Sequence, residues 1–135
     1  MSHPRASRAR KIRRMNPAPG FKKRPDYRIA VKPARARVQV TLNGEVIADS
    51  KNAVVLEEGS YPPVYYFPRQ DVKTDRLVRS VLQTYCPFKG DAAYYSFKGG
   101  AENAVWTYEH PYDEMHAIKE RLAFYPNKVD SIAVL

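Results

Sequence analysis

From Arg37 to Leu42, polar residues (Arg37, Gln39, Thr41) alternate with apolar ones (Val38, Val40, Leu42). This period of two puts one face of a strand in a core and the other in water. Asn43-Gly44 follows, and this pair supplies the two positive-φ positions of a type I′ hairpin turn. Glu45 to Ala48 returns as a second strand, Asp49 to Asn52 makes a turn, and Ala53 to Leu56 forms a third strand, so the region predicts a meander. After a loop pinned by Gly59 and Pro62-Pro63, Val64-Tyr65-Tyr66-Phe67 is continuously bulky. That predicts a strand covered on both faces, ended by Pro68.

Val72 to Arg79 has apolar residues at Val72, Leu77 and Val78, which predicts one or two helical turns. Val81 to Tyr85 reads as a strand running into Cys86-Pro87, and Ala92 to Lys98 as another, turned at Gly99-Gly100 and returning from Glu102 to Tyr108. Pro111 stands where a first helical residue belongs, and Asp113 and Glu114 suit the positive end of a helix. Met115, Ile118 and Leu122 then recur at helical spacing. Ala123 to Tyr125 and Val129 to Leu135 are further β-prone pieces. No repeat of solenoid length recurs. The pattern predicts a mainly β domain of small antiparallel sheets with one short helix near the C-terminus.

Charge divides the 135 residues sharply. Residues 1–33 hold eleven of the 23 Lys and Arg against one acid, Asp26, while residues 34–135 hold the other twelve against thirteen acids. The net charge of +9 therefore belongs to the N-terminal segment, and a uniformly basic binding face on the body is excluded. Residues 1–33, rich also in proline, predict a disordered basic tail; residues 34–135 form the single β-rich domain, with order starting near Arg35. The tail is either an attachment arm for nucleic acid or a solubilising extension. The single cysteine allows no internal disulfide. Apolar runs fall far short of the ~20 residues that span a bilayer, and no apolar stretch follows the N-terminal charges as a secretory signal requires. A cytoplasmic protein without membrane partners is expected.

Closed zinc sites take four Cys or His ligands in short paired spacings, whereas Cys86 is alone and His110 and His116 are six residues apart. No metal and no cofactor are expected. Phosphate-binding glycine loops are absent. Catalysis would have to come from Cys86, activated by Lys89 or His110, or from Asp71 with Arg69 as electrostatic stabiliser. Arg69 presents a fork that holds a carboxylate or phosphate on two bonds, and Lys89-Gly90 offers an ammonium and an N–H in a turn. Fourteen of the sixteen aromatic residues lie between Tyr61 and Tyr125. Most must be core, but the surplus of Tyr over Phe points to a partly wet pocket able to stack a planar group. Alternation puts Trp106 and Tyr108 on one face.

Six segments match a known family in order: 43–50 (Asn-Gly-Glu-Val-Ile-Ala-Asp-Ser), 65–69 (Tyr-Tyr-Phe-Pro-Arg) with Asp71, 84–90 (Thr-Tyr-Cys-Pro-Phe-Lys-Gly), 94–96 (Tyr-Tyr-Ser), 102–108 (Glu-Asn-Ala-Val-Trp-Thr-Tyr), and 124–126 (Phe-Tyr-Pro) with Val129-Asp130. From about Arg35 to Asp130 the chain resembles the bacterial and fungal domain-of-unknown-function family 427, which carries a nucleotidyltransferase-type label. The resemblance implies a β-tent-like fold of coiled antiparallel sheets, shared with methionine sulfoxide reductase B and the drug-binding domain of cereblon. The four cysteines with which many of those relatives clamp a zinc ion are missing, as is the carboxylate cluster that nucleotidyl transfer requires. The expectation is a domain binding a small ligand or nucleotide, with Tyr65, Trp106 and Tyr108 stacking the planar part while Arg69 and Lys89 hold an anionic group. The alternatives are an enzyme of transferase or hydrolase type using Cys86 or Asp71, and nucleic-acid attachment through residues 1–33.

Overall fold

The computed structural model describes residues 15–135. After a short helix α1 (Pro19–Lys23) come strands β1 (Ile29–Pro33), β2 (Val38–Leu42), β3 (Glu45–Ser50), β4 (Val54–Glu58), β5 (Val64–Tyr66), β6 (Leu77–Cys86), β7 (Gly90–Phe97), β8 (Val105–Thr107), β9 (Ala123–Phe124) and β10 (Ser131–Val134). They form three sheets, ordered β1-β4-β5, β10-β2-β3 and β6-β7-β8-β9, and every strand pairing is antiparallel. The expected mainly β fold of small antiparallel sheets is the fold observed. Among the described residues no helix is long and apolar enough to cross a membrane.

Strand β8 divides the interior. Its neighbours Val105 and Trp106 point to opposite faces of the sheet because side chains alternate along a strand. Val105 joins a core made with Val38, Val40, Ile47, Phe67, Phe97, Leu122 and Phe124. Trp106 packs on a second core of Val54, Leu56, Tyr66, Tyr94, Tyr108 and Ile118. With a core on either face, β7 buries three residues in succession, Ala92, Ala93 and Tyr94. In the first core Phe67 sets its ring edge-on to Phe124 at 5.6 Å and is fully buried, so truncating it to alanine costs about 3–5 kcal/mol.

The Asn43-Gly44 turn forms as its sequence requires, with φ of 52° and 78°, and β2 pairs with β3. A bulge follows, because Val40 faces Ala48 and Thr41 faces Val46. The extra residue, Ile47, turns inward beside Ala48, and both are buried.

Four expectations fail. The boundary between residues 33 and 34 falls at the end of a paired strand, since Ile29 to Pro33 lie along Glu58 to Val54. The few apolar residues of this basic stretch explain it: Ile29 and Val31 pack on the second core, and Tyr27 stacks on Phe88 at 4.4 Å. The rest of the expected tail, residues 1–14, lies outside the described residues. The meander ends after β3, because β4 pairs with β1 and β5 in another sheet. The helical turns expected over 72–79 reduce to single 3-10 turns at Arg69–Asp71 and Thr74–Arg76, after which β6 starts at Leu77. The helix after Pro111 is a 3-10 segment, Asp113–Ile118, broken at Met115. Leu122 leaves the helical period because it exchanges two backbone hydrogen bonds with Phe67, at 2.8 and 2.9 Å.

Candidate functional site

Of the five residues expected to share one site, four are divided among three places and Tyr108 lies in the second core. Tyr65 and Trp106 are brought together. With Phe124, Pro126, Asp130 and Ile132 they line a cleft of about 540 Å³, closed at one side by Pro62-Pro63. Trp106 is held from two directions. Its indole N–H donates to the Tyr66 hydroxyl at 3.2 Å, and its ring lies 4.5 Å from that of Tyr125. Tyr66 is buried; burial raises its hydroxyl pKa well above the usual value, outweighing the opposing Trp106 bond. It therefore stays neutral, and the indole has a permanent acceptor. Tyr108 shares the Trp106 face as expected, but belongs to the second core and does not line the cleft. Among the described residues Asp130 is the one acidic or basic side chain lining the cleft, and its carboxylate also accepts the Gly44 N–H at 2.9 Å.

Arg69 is on the other side of β8. Each of its three nitrogens has a partner: Nε the Glu120 carbonyl at 2.6 Å, Nη1 the Tyr95 hydroxyl at 3.3 Å and Nη2 Thr107 Oγ1 at 3.3 Å. Glu120 also pairs with it at 3.4 Å. Thr107 follows Trp106 in β8, so alternation separates Arg69 from the aromatic cleft. Arg69 and Arg79 each stand 5.6 Å from the centre of the Tyr95 ring, and Arg79 grips Glu109 through two bonds of 2.8 and 3.2 Å. Here the arginine fork ties the turn at residues 69–71 to the four-stranded sheet.

Lys89 is at a third place. Its ammonium donates to Glu58 at 2.7 Å, and the two side chains are only 11 and 17 % exposed. The other Glu58 oxygen accepts the Tyr27 hydroxyl. Burial opposes ionisation of Glu58, but the bonds from Lys89 and Tyr27 outweigh it and lower its pKa. The bond to Glu58, with burial, pushes Tyr27 up to about 12.

The two catalytic candidates belong to separate elements. Cys86, a free and half-buried thiol, ends β6 opposite Gly90, while its expected partner Lys89 is committed to Glu58. Asp71 accepts a 2.6 Å bond from the buried Ser50 hydroxyl, closing the end of β3 onto the 3-10 turn. Among the described residues no three His, Cys, Asp or Glu side chains are grouped to hold a metal ion.

Sequence reasoning missed Phe124 and Ile132 at the cleft, Tyr66 behind Trp106, and Tyr27 and Glu58 beside Lys89. Their signal is topological. Only once β9 is paired to β8 and β10 to β2 do residues 124–132 meet Tyr65 and Trp106. Residues 30–135 match the profile of a family described as a domain of unknown function (DUF427). A comparison with curated proteins finds no match.

Proposed function

The chain belongs to the DUF427 family, and we propose that its domain binds a small planar ligand in the cleft between Tyr65, Trp106 and Ile132. The observation that carries this reading is the fixed indole of Trp106, bonded to Tyr66 and set against Tyr125 at the wall of an apolar cleft. Small-ligand sites are concave and mostly apolar with a few placed polar groups, and an immobilised ring binds without the entropic cost of ordering it. Asp130 sets the charge preference. It disfavours a phosphate and favours an uncharged or cationic ring, so the ligand class narrows from nucleotides to nucleobases, nucleosides and aromatic amines. Arg69 and Lys89, already engaged elsewhere, take no part.

The test is a titration of full-length protein with adenosine, AMP and tryptamine, read by isothermal calorimetry. Adenosine and tryptamine should bind saturably, and AMP should bind more weakly than adenosine. Tyr65→Ala should weaken binding about tenfold, the scale of one aromatic stacking partner. Absence of saturable binding by all three, or strongest binding by AMP, would overturn the proposal.

A further inference from the structure

We infer that the end of the domain where α1 meets β6 is a binding face for single-stranded nucleic acid, with a base stacked on Tyr85 and the backbone phosphates on Lys22, Lys23 and Arg24. The first observation is that α1 is docked rigidly. The Gly20 N–H donates to the Pro87 carbonyl at 2.9 Å, and a Cβ at Gly20 would fall 2.7 Å from the Phe88 ring. Phe88 is in turn held between Phe21, edge-on at 4.9 Å, and Tyr27, stacked at 4.4 Å. The basic residues are thus presented from a fixed platform.

The second observation is a cleft of about 490 Å³ at this place, lined by Lys23 and Arg24 on one side and by Tyr85, Pro87 and Phe88 on the other. Tyr85 is 56 % exposed, yet its hydroxyl is bonded to that of Tyr112 at 2.8 Å, so an open ring is held in one orientation. Cations beside an oriented, solvent-facing ring are what sequence-tolerant binding of single strands uses.

The third observation is charge. Among the described residues Lys22, Lys23 and Arg24 pair with no carboxylate; Arg24 lies 5.4 Å from the centre of the Tyr27 ring. Of the acids around this face, Asp113 and Glu114 are bonded to the backbone N–H groups of Asn16 and Ala18, Asp91 stands opposite Tyr85 across the strand pair, and Asp26 follows Arg24 by two residues. Directly upstream in sequence stand Arg5, Arg8, Arg10, Lys11, Arg13 and Arg14. Phosphate contacts by Lys22, Lys23 and Arg24 would add salt-sensitive affinity.

The experiment measures fluorescence anisotropy of labelled twelve-nucleotide oligouridine with the full chain at two salt concentrations. Tyr85→Ala should weaken binding about tenfold, while Tyr85→Phe, which keeps the ring but loses the Tyr112 bond, should weaken it less. The double variant Lys23→Gln, Arg24→Gln should lower affinity and reduce the salt slope by about 1.4, at ~0.7 per phosphate contact on a single strand. Thermal melts confirm that each variant is folded. Equal affinity in Tyr85→Ala and wild type would overturn the inference. So would binding lost only on deleting residues 2–14, or binding to anionic phosphatidylglycerol vesicles without binding to the RNA.

Discussion

Replacing Glu58 with alanine would leave the Lys89 ammonium enclosed without its counter-charge. Both side chains are less than a fifth exposed, at 11 and 17 %, and their charged atoms are 2.7 Å apart. Removing one partner of such a pair costs about 3–5 kcal/mol, whereas replacing both by apolar groups of similar volume is close to neutral. For a domain of this size about 4 °C of melting temperature accompanies each kcal/mol, so Glu58→Ala should lower the melting temperature by at least ~10 °C. The double variant Glu58→Gln, Lys89→Met should recover most of that. The pH dependence follows from the same pair. Because Glu58 has a lowered pKa in the folded state, the stability it contributes is present above its ordinary value of 4.5 and is lost as pH falls through its folded pKa. The gap between wild type and Glu58→Gln should therefore be widest near neutrality and close at acidic pH. Urea unfolding from pH 3 to pH 8 measures it. A Glu58→Ala cost below about 1 kcal/mol, or a gap that does not change with pH, would refute the reasoning.

Other outcomes follow from single contacts. Gly20→Ala should cost about 1–3 kcal/mol, because its Cβ would meet the Phe88 ring at 2.7 Å and the Pro87 carbonyl at 2.9 Å; amide exchange should show α1 opening more often. Burial raises the pKa of both Tyr66 and Tyr108 above the usual 10.0. Both should stay silent when phenolate absorbance is followed from pH 9 to pH 12, and stability should fall as pH rises beyond about 10, where only the unfolded chain releases those protons. Cys86→Ala should leave affinity for adenosine unchanged, since the thiol does not line the aromatic cleft; a tenfold loss by calorimetry would place it in the site.

Local chemistry was legible wherever it decided the structure. Asn43-Gly44 dictated a hairpin turn, and alternation along Val38 to Leu42 gave β2 its buried face. Alternation also put Trp106 and Tyr108 on one side of β8. The failures occur where distant partners outbid the local pattern. Met115, Ile118 and Leu122 have helical spacing, yet Phe67 captures Leu122 in an extended bridge. Basic composition predicted disorder through Pro33, but four side chains there, Phe21, Tyr27, Ile29 and Val31, find apolar or aromatic partners more than twenty residues away. The same limit applies to the site. Residue type singled out Arg69 and Lys89 as anion contacts, and could not show that Glu120, Thr107 and Glu58 already occupy them.

The most direct test of ligand binding at Trp106 is a map of backbone amide shifts in isotopically labelled protein titrated with adenosine. The account predicts saturable shifts at residues 64–65, 106 and 124–132, including the Trp106 indole N–H, with Arg69 and Lys89 unmoved. Shifts centred on Arg69 or Lys89, or none at millimolar adenosine and tryptamine, would contradict it.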